Sequence, residues 1–121
     1  MNMSNKDQQI LEHIYRYCVK INNTVERFGK KFDVFQNDQD YIDSVSMNLL
    51  QIGELAGKFT ETYIEATKME MNWRAIKNMR NMFAHDYNSM DIELIWETVV
   101  EDIPELKAFC EYQLPCLSDN H

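Results

Sequence analysis

Four stretches of this chain carry apolar residues at steps of three and four, and almost nothing interrupts them. Three glycines and two prolines occur in 121 residues. Turn-rich β architecture needs far more of both, so the chain is constrained to long helices. The first stripe is Ile10, Ile14, Tyr17, Ile21, Val25 and Phe28. It predicts an amphipathic helix over about 6–28, opened by an Asn5/Gln8 capping box and stopped by Gly29. Lys30 to Gln36 reads as a connector whose Phe32, Val34 and Phe35 tuck back onto the core.

The second stripe, Ile42, Val45, Leu49, Ile52, Ala56, Phe59 and Tyr63, predicts one helix over about 38–66, capped by Asn37 or Asp38. Gly53 and Gly57 lie four apart inside it. Glycine costs a helix interior about 1 kcal/mol against alanine, so two on one face predict another helix backbone passing close. Thr67 to Met71 is a second connector, and Asn72 can cap a third helix with Trp73, Ile76, Met79 and Phe83 on its apolar side. That helix is expected to run as an α-helix to just beyond Tyr87. Asp91 or Ser89 caps the fourth, whose stripe is Ile92, Ile95, Trp96, Val99, Ile103, Leu106, Phe109 and Cys110. Pro104 cannot donate to the ladder, so a kink or a short further helix is expected there. The fold expected is all-α, an up-and-down four-helix bundle in one domain over 1–121. The breadth of the stripes, with eight methionines, points to a homodimer.

A net charge of −8 and a pI near 4.8 argue against bulk electrostatic attraction to nucleic acid. Local charge runs the other way at one place. Arg74, Lys77 and Arg80 put three cations at spacing three with no acid between them, and any nucleic-acid contact should centre there. No apolar run approaches the roughly 18–20 residues needed to cross a membrane. The polar N-terminus has no signal-peptide pattern. Cys18, Cys110 and Cys116 are odd in number and lack zinc spacing, which fits reduced thiols in the cytoplasm. Asp38, Asp40 and Asp43 fit capping and a solvated face better than a metal site, and neither metal nor cofactor is expected.

The chemically densest segment is Arg80-Asn81-Met82-Phe83-Ala84-His85-Asp86-Tyr87. At about 100° per residue Asn81 and His85 stack, and Arg80 and Tyr87 share a neighbouring stripe. An arginine, an amide, an imidazole and a phenol would thus converge on one helix end, a set able to hold a phosphate and move a proton. Each residue also has a plainer reading. Arg80 could be a surface ion pair with Asp86, Glu54 or Asp91, His85 could cap helix-end carbonyls, and Tyr87 could be a rim residue. Glu54 could pair with Arg80 and hold its fork, or be solvated. His13 lies between Glu12 and Arg16 on a solvated face, and Trp73 and Trp96 fall on core stripes.

Arg80-Asn81-x3-His85-x-Tyr87 resembles the Arg-x4-His-x-Tyr signature of HepT-like toxins of the HEPN superfamily. Leu50-Gln51-Ile52-Gly53-Glu54-Leu55-Ala56 is similar to that family's Ile-Gly-Glu-Ala segment. Trp73 and Ile76 before Met79-Arg80-Asn81 are similar to its third-helix lead-in, and Asp91 with Trp96-Glu97-Thr98-Val99 to its fourth-helix start. The family commonly has proline where this chain has Asn72, itself a good cap. The resemblance spans about residues 8–115. It implies an all-α homodimer and a metal-independent ribonuclease, encoded beside a minimal nucleotidyltransferase (MntA) antitoxin that transfers AMP from ATP to the motif tyrosine. Carried over, Arg80 and His85 are the catalytic pair, Asn81 a polar helper and Tyr87 the modified residue.

RNA cleavage without a metal needs a base for the 2′-hydroxyl and positive charge for the crowded phosphorus. Histidine titrates near working pH, and arginine offers a fixed fork of donors to phosphate oxygens. Protonating the leaving group needs a second acid, and the motif has one histidine; two motifs joined across a two-fold axis would supply it. The competing reading is a non-catalytic HEPN module that binds RNA or nucleotide and a nucleotidyltransferase.

Overall fold

The computed structural model describes residues 3–83 and 91–114, and the described residues form an all-α bundle. Helix α1 spans Asn5–Phe28. Its N-cap is Ser4, not Asn5: the Ser4 hydroxyl oxygen accepts from the Asp7 amide at 3.1 Å and donates to the Asp7 carboxylate at 2.8 Å. The chain leaves α1 through Gly29, whose φ of 109° suits glycine alone. Ile10, Leu11, Ile14, Tyr15, Cys18 and Ile21 bury one face of α1. That face packs against α3 (Gln39–Ala56) and α7 (Ile103–Gln113).

The expected connector after Gly29 contains a short helix, α2 (Phe32–Gln36). Phe35 is fully buried there, with its ring centroid 5.0 Å from both Tyr41 and Trp96. This aromatic knot joins α2 to α3 and to α6 (Ile92–Glu97). Asp38 caps α3 by accepting from the Tyr41 amide, and Tyr41 donates its hydroxyl to the Gly29 carbonyl at 3.0 Å.

The single second helix expected over 38–66 is two helices. α3 stops at Gly57, and α4 (Glu61–Thr67) begins after Thr60. The break has a tertiary cause. The Asp7 carboxylate, 2% exposed, accepts from the Thr60 amide at 2.9 Å and the Thr60 hydroxyl at 2.6 Å. Thr60 is thereby held extended and caps α4, accepting from the Tyr63 amide. Burial alone would raise the Asp7 pKa. The hydroxyl and amide of Thr60, the Ser4 hydroxyl and the charge of Lys6 outweigh it and hold the carboxyl below its ordinary value.

α5 (Trp73–Lys77) is anchored on α4. The Trp73 indole donates to the Thr67 hydroxyl at 2.8 Å, and its ring meets Phe59, Tyr63 and Phe109. Asn72 caps α5 as expected, its side-chain oxygen accepting from the Ala75 amide. Beyond Lys77 the α-helix expected to end just after Tyr87 tightens instead into a 3-10 helix over Asn78–Phe83. The final unit is α6, a π-helical turn over Thr98–Asp102, and α7 with Pro104 in its first turn. Asp91 caps α6. Of the kink or further helix expected at Pro104, the structure shows the further helix, α7, and the wide turn ahead of it is where proline leaves the ladder one donor short.

Candidate active site on the 3-10 segment

Residues 73–83 form a strut lying along α3. Trp73, Ile76 and Met79 are buried and Met82 is partly buried, a strict repeat of three. In a 3-10 helix residues three apart eclipse, so this repeat keeps one face on the core through 78–83 while an α-helix would rotate it away. The same repeat lines up Arg74, Lys77 and Arg80, all exposed, on a neighbouring face of the strut.

Gly53 is what lets the strut approach. A Cβ at residue 53 would lie 2.8 Å from the Arg80 amide nitrogen, 3.2 Å from the Arg80 Cβ and 3.3 Å from the Lys77 carbonyl oxygen. The close passage expected from the two glycines therefore occurs at Gly53, against the backbone of the motif arginine. Gly57 differs: its Cβ would meet nothing nearer than 3.5 Å. It is the C-cap of α3, and the Lys77 stem crosses over it.

One residue beyond Gly53, the Glu54 carboxylate stands 3.9 Å from Arg80 Nη1, both side chains about half exposed. That distance is too long for a hydrogen bond, and an exposed pair at this range contributes little stability. Electrostatically it biases the guanidinium toward α3 without engaging its donors in a hydrogen bond to Glu54. Asn81 donates from Nδ2 to Asn78 Oδ1 at 3.3 Å, a pairing of residues three apart that the 3-10 geometry creates. Asn78 was not among the residues singled out from sequence, although the three-residue repeat could have pointed to it.

A cleft of about 680 Å³ opens beside the strut, between α5 and the α3–α4 corner. Arg74, Lys77 and Asn78 form one wall, Glu61 and Glu65 the other, with Phe59, Ile64 and Trp73 among its apolar lining. The Arg74 and Lys77 side chains make no hydrogen bond or ion pair with any described residue. Glu61 and Glu65 escaped the sequence reading because it ran one helix through residues 57–60, which hid the corner that sets them along the cleft. The structure thus brings Glu54 to Arg80 and pairs Asn81 with Asn78, with Arg74 and Lys77 along the same strut. His85 and Tyr87 lie outside the described residues, as does Cys116. His13 is exposed and Trp73 is core, as expected. The described residues contain no cluster of His, Cys, Asp or Glu able to hold a metal, and no helix long and apolar enough to cross a membrane.

A family model described as ribonuclease HepT-like matches residues 10–113. A protein of Caldanaerobacter subterraneus subsp. tengcongensis named "Putative RNase" is 30% identical over 97 residues, covering 80% of this chain and 84% of that protein. A "Probable ribonuclease HepT" of Thermococcus cleftensis is 34% identical over 86 residues, 69% of this chain and 77% of its own length. A further "Putative RNase", from Methanocaldococcus jannaschii, is 28% identical over 111 residues, 90% of this chain and 98% of that protein. No solved structure matches the chain with significance. The family model covers the helical bundle from α1 to the end of α7, with the Gly53–Arg80 contact and the Arg80–Tyr87 motif inside it, and the chain belongs to the ribonuclease HepT-like family.

Proposed function

We propose that this chain is the toxin of a toxin–antitoxin pair, a metal-independent endoribonuclease working as a homodimer in the cytoplasm. The observation that carries the reading is Arg80, seated by its own backbone against Gly53 with Glu54 3.9 Å from its guanidinium, at the head of the family motif. Arg80 grips the scissile phosphate with its fork of donors. His85 takes the proton of the 2′-hydroxyl, whose oxygen attacks the adjacent phosphorus as the bond to the 5′-oxygen breaks. The departing oxygen takes a proton from an acid, and the His85 of a second protomer fills that role. Asn81 orients the imidazole or the ribose, and Glu54 positions Arg80. Arg74 and Lys77 contact flanking phosphates.

Control falls to Tyr87. An MntA-type nucleotidyltransferase transfers AMP from ATP to the phenol oxygen and releases pyrophosphate. The attached phosphate then competes for Arg80 and repels RNA. The alternative, a non-catalytic module binding RNA or nucleotide and the same partner, leaves the proton-transfer group His85 without a task.

The test is cleavage of labelled RNA by purified protein in EDTA. Wild type is expected to cut, and Arg80→Ala and His85→Ala to lose activity with helical circular dichroism intact. A His85→Ala protein that cuts at the wild-type rate would remove the mechanism. Tyr87→Phe should stay active and gain no AMP mass when incubated with ATP and the partner. Sedimentation equilibrium should report twice the 14.4 kDa chain mass; a monomer at micromolar concentration contradicts the dimer.

A further inference from the structure

We propose that the cleft beside the strut is a base-reading subsite for the RNA nucleotide next to the scissile phosphate, with Glu61 discriminating against uridine. The inference rests on the ribonuclease reading for its substrate and on separate residues for its geometry. At about 680 Å³ the cleft falls within the range of small-ligand sites. Its two walls carry opposite charge, yet no ion pair crosses it: the Arg74 and Lys77 side chains on one side have no hydrogen-bond or ion-pair partner among the described residues, and Glu65 on the other is tied to Lys68, the C-cap of its own helix. The Glu61 side chain makes no hydrogen bond or ion pair with a described residue. Opposed charges in one cleft that do not meet leave room for a ligand that is itself bipolar. A nucleotide is such a ligand, with an anionic phosphate at one end and a base edge at the other.

The placement also follows the strand. The cations advance along the strut by roughly 4.5 Å per three residues in α geometry and roughly 6 Å in 3-10 geometry. Those steps are comparable with the spacing of successive phosphates in a single strand. Arg80 lies against Gly53 and the Lys77 stem over Gly57, one turn along α3, so a strand whose phosphate sits at Arg80 is led toward the cleft. The apolar lining from Ile64, Phe59 and Trp73 suits the edge or face of a base. A carboxylate accepts from an exocyclic amine, as carboxylates do from cytosine N4, and uridine has none. Glu61 therefore favours adenine or cytosine over uracil at this position.

The experiment uses the full chain and fluorescein-labelled 2′-O-methyl oligonucleotides, which bind but cannot be cleaved. Anisotropy titrations with oligo(A), oligo(C) and oligo(U) over a range of salt give affinity and salt slope. Arg74→Ala and Lys77→Ala should each weaken binding several-fold and reduce the magnitude of the log–log salt slope by about 0.7. Wild type should bind oligo(U) several-fold more weakly than oligo(C), and Glu61→Gln, able to donate to a uracil carbonyl, should narrow that ratio. Cation variants with wild-type affinity and slope overturn the proposal, as does a uridine ratio unmoved by Glu61→Gln. Free AMP displacing oligo(A) with an affinity equal to the oligonucleotide's would assign the cleft to a free nucleotide instead. Intact RNA binding with lost capture of the nucleotidyltransferase would assign it to a protein partner. Because the probe is uncleavable, a protein that binds and discriminates but never cuts keeps the subsite and loses the catalytic reading. One that cuts normally in the Arg74 and Lys77 variants does the reverse.

Discussion

Substituting Gly53 with alanine pits two effects of known size against each other. In a helix interior, alanine gains about 0.8–1 kcal/mol over glycine. Against that, the new Cβ would sit 2.8 Å from the Arg80 amide nitrogen, where ordinary contact begins near 3.4 Å. The partner is backbone and cannot swing aside, so the strut or α3 must move by at least about 0.6 Å, the difference of those two distances. Overpacking of this kind costs about 1–3 kcal/mol. The net expectation is a loss of about 0–2 kcal/mol, or up to about 8 °C in Tm for a domain of this size. Activity should suffer more than stability. The displaced group carries Arg80 itself, and a misplacement near 1 Å can reduce rate about 100-fold.

The assay pairs thermal unfolding by circular dichroism with cleavage of labelled RNA, and Gly57→Ala is the internal control. Its Cβ meets nothing nearer than 3.5 Å and its φ of −71° and ψ of −8° suit alanine. Removing glycine there should be neutral or stabilise by up to about 1 kcal/mol through the unfolded chain. Expected, then, is a Gly53→Ala protein that is folded, somewhat less stable and at least about tenfold slower, beside a Gly57→Ala protein that is unimpaired. A Gly53→Ala protein as stable as Gly57→Ala and as active as wild type would refute the close approach and the positioning argument built on it.

Asp7→Asn removes the charge from a buried carboxylate that takes three hydrogen bonds, and should lower stability by about 1.5–3 kcal/mol at neutral pH. The folded pKa of Asp7 is depressed, so its contribution is full above the unfolded pKa of about 3.9 and fades as pH falls through the folded value. Denaturant titrations should therefore show the gap between wild type and variant closing below about pH 4, and a gap independent of pH would contradict the linkage. Glu54→Gln should slow cleavage several-fold with an unchanged melting temperature, because the half-exposed pair contributes positioning rather than stability; equal losses in both would make Glu54 structural. Cys18 and Cys110 are buried, burial pushing the Cys18 thiol up to about 12 and Cys110 upward as well. A thiol reagent should label them only as the protein unfolds, and rapid labelling of either in the native state would show the α1–α7 seam to be open.

Much of the architecture was legible from spacing alone. Stripes at three and four marked the helical face of α1, the start of α3, the Asn72 and Asp91 caps and the stop at Gly29, because each depends on residues within one or two turns. The same local logic flagged Gly53, Arg80 and Asn81. What tertiary structure decided are features whose partners are far apart in the chain. The break between α3 and α4 comes from Asp7 seizing Thr60 across 53 residues, and no window around residue 60 contains that carboxylate. The 3-10 geometry of the strut comes from burying a strict repeat of three against a glycine on another helix. The cleft follows from both, since its acidic wall exists only where α3 turns into α4 and its basic wall only where the strut passes Gly57. Periodicity reports which face of a helix is buried; which backbone it meets, and at what distance, is set by the packing of the whole chain.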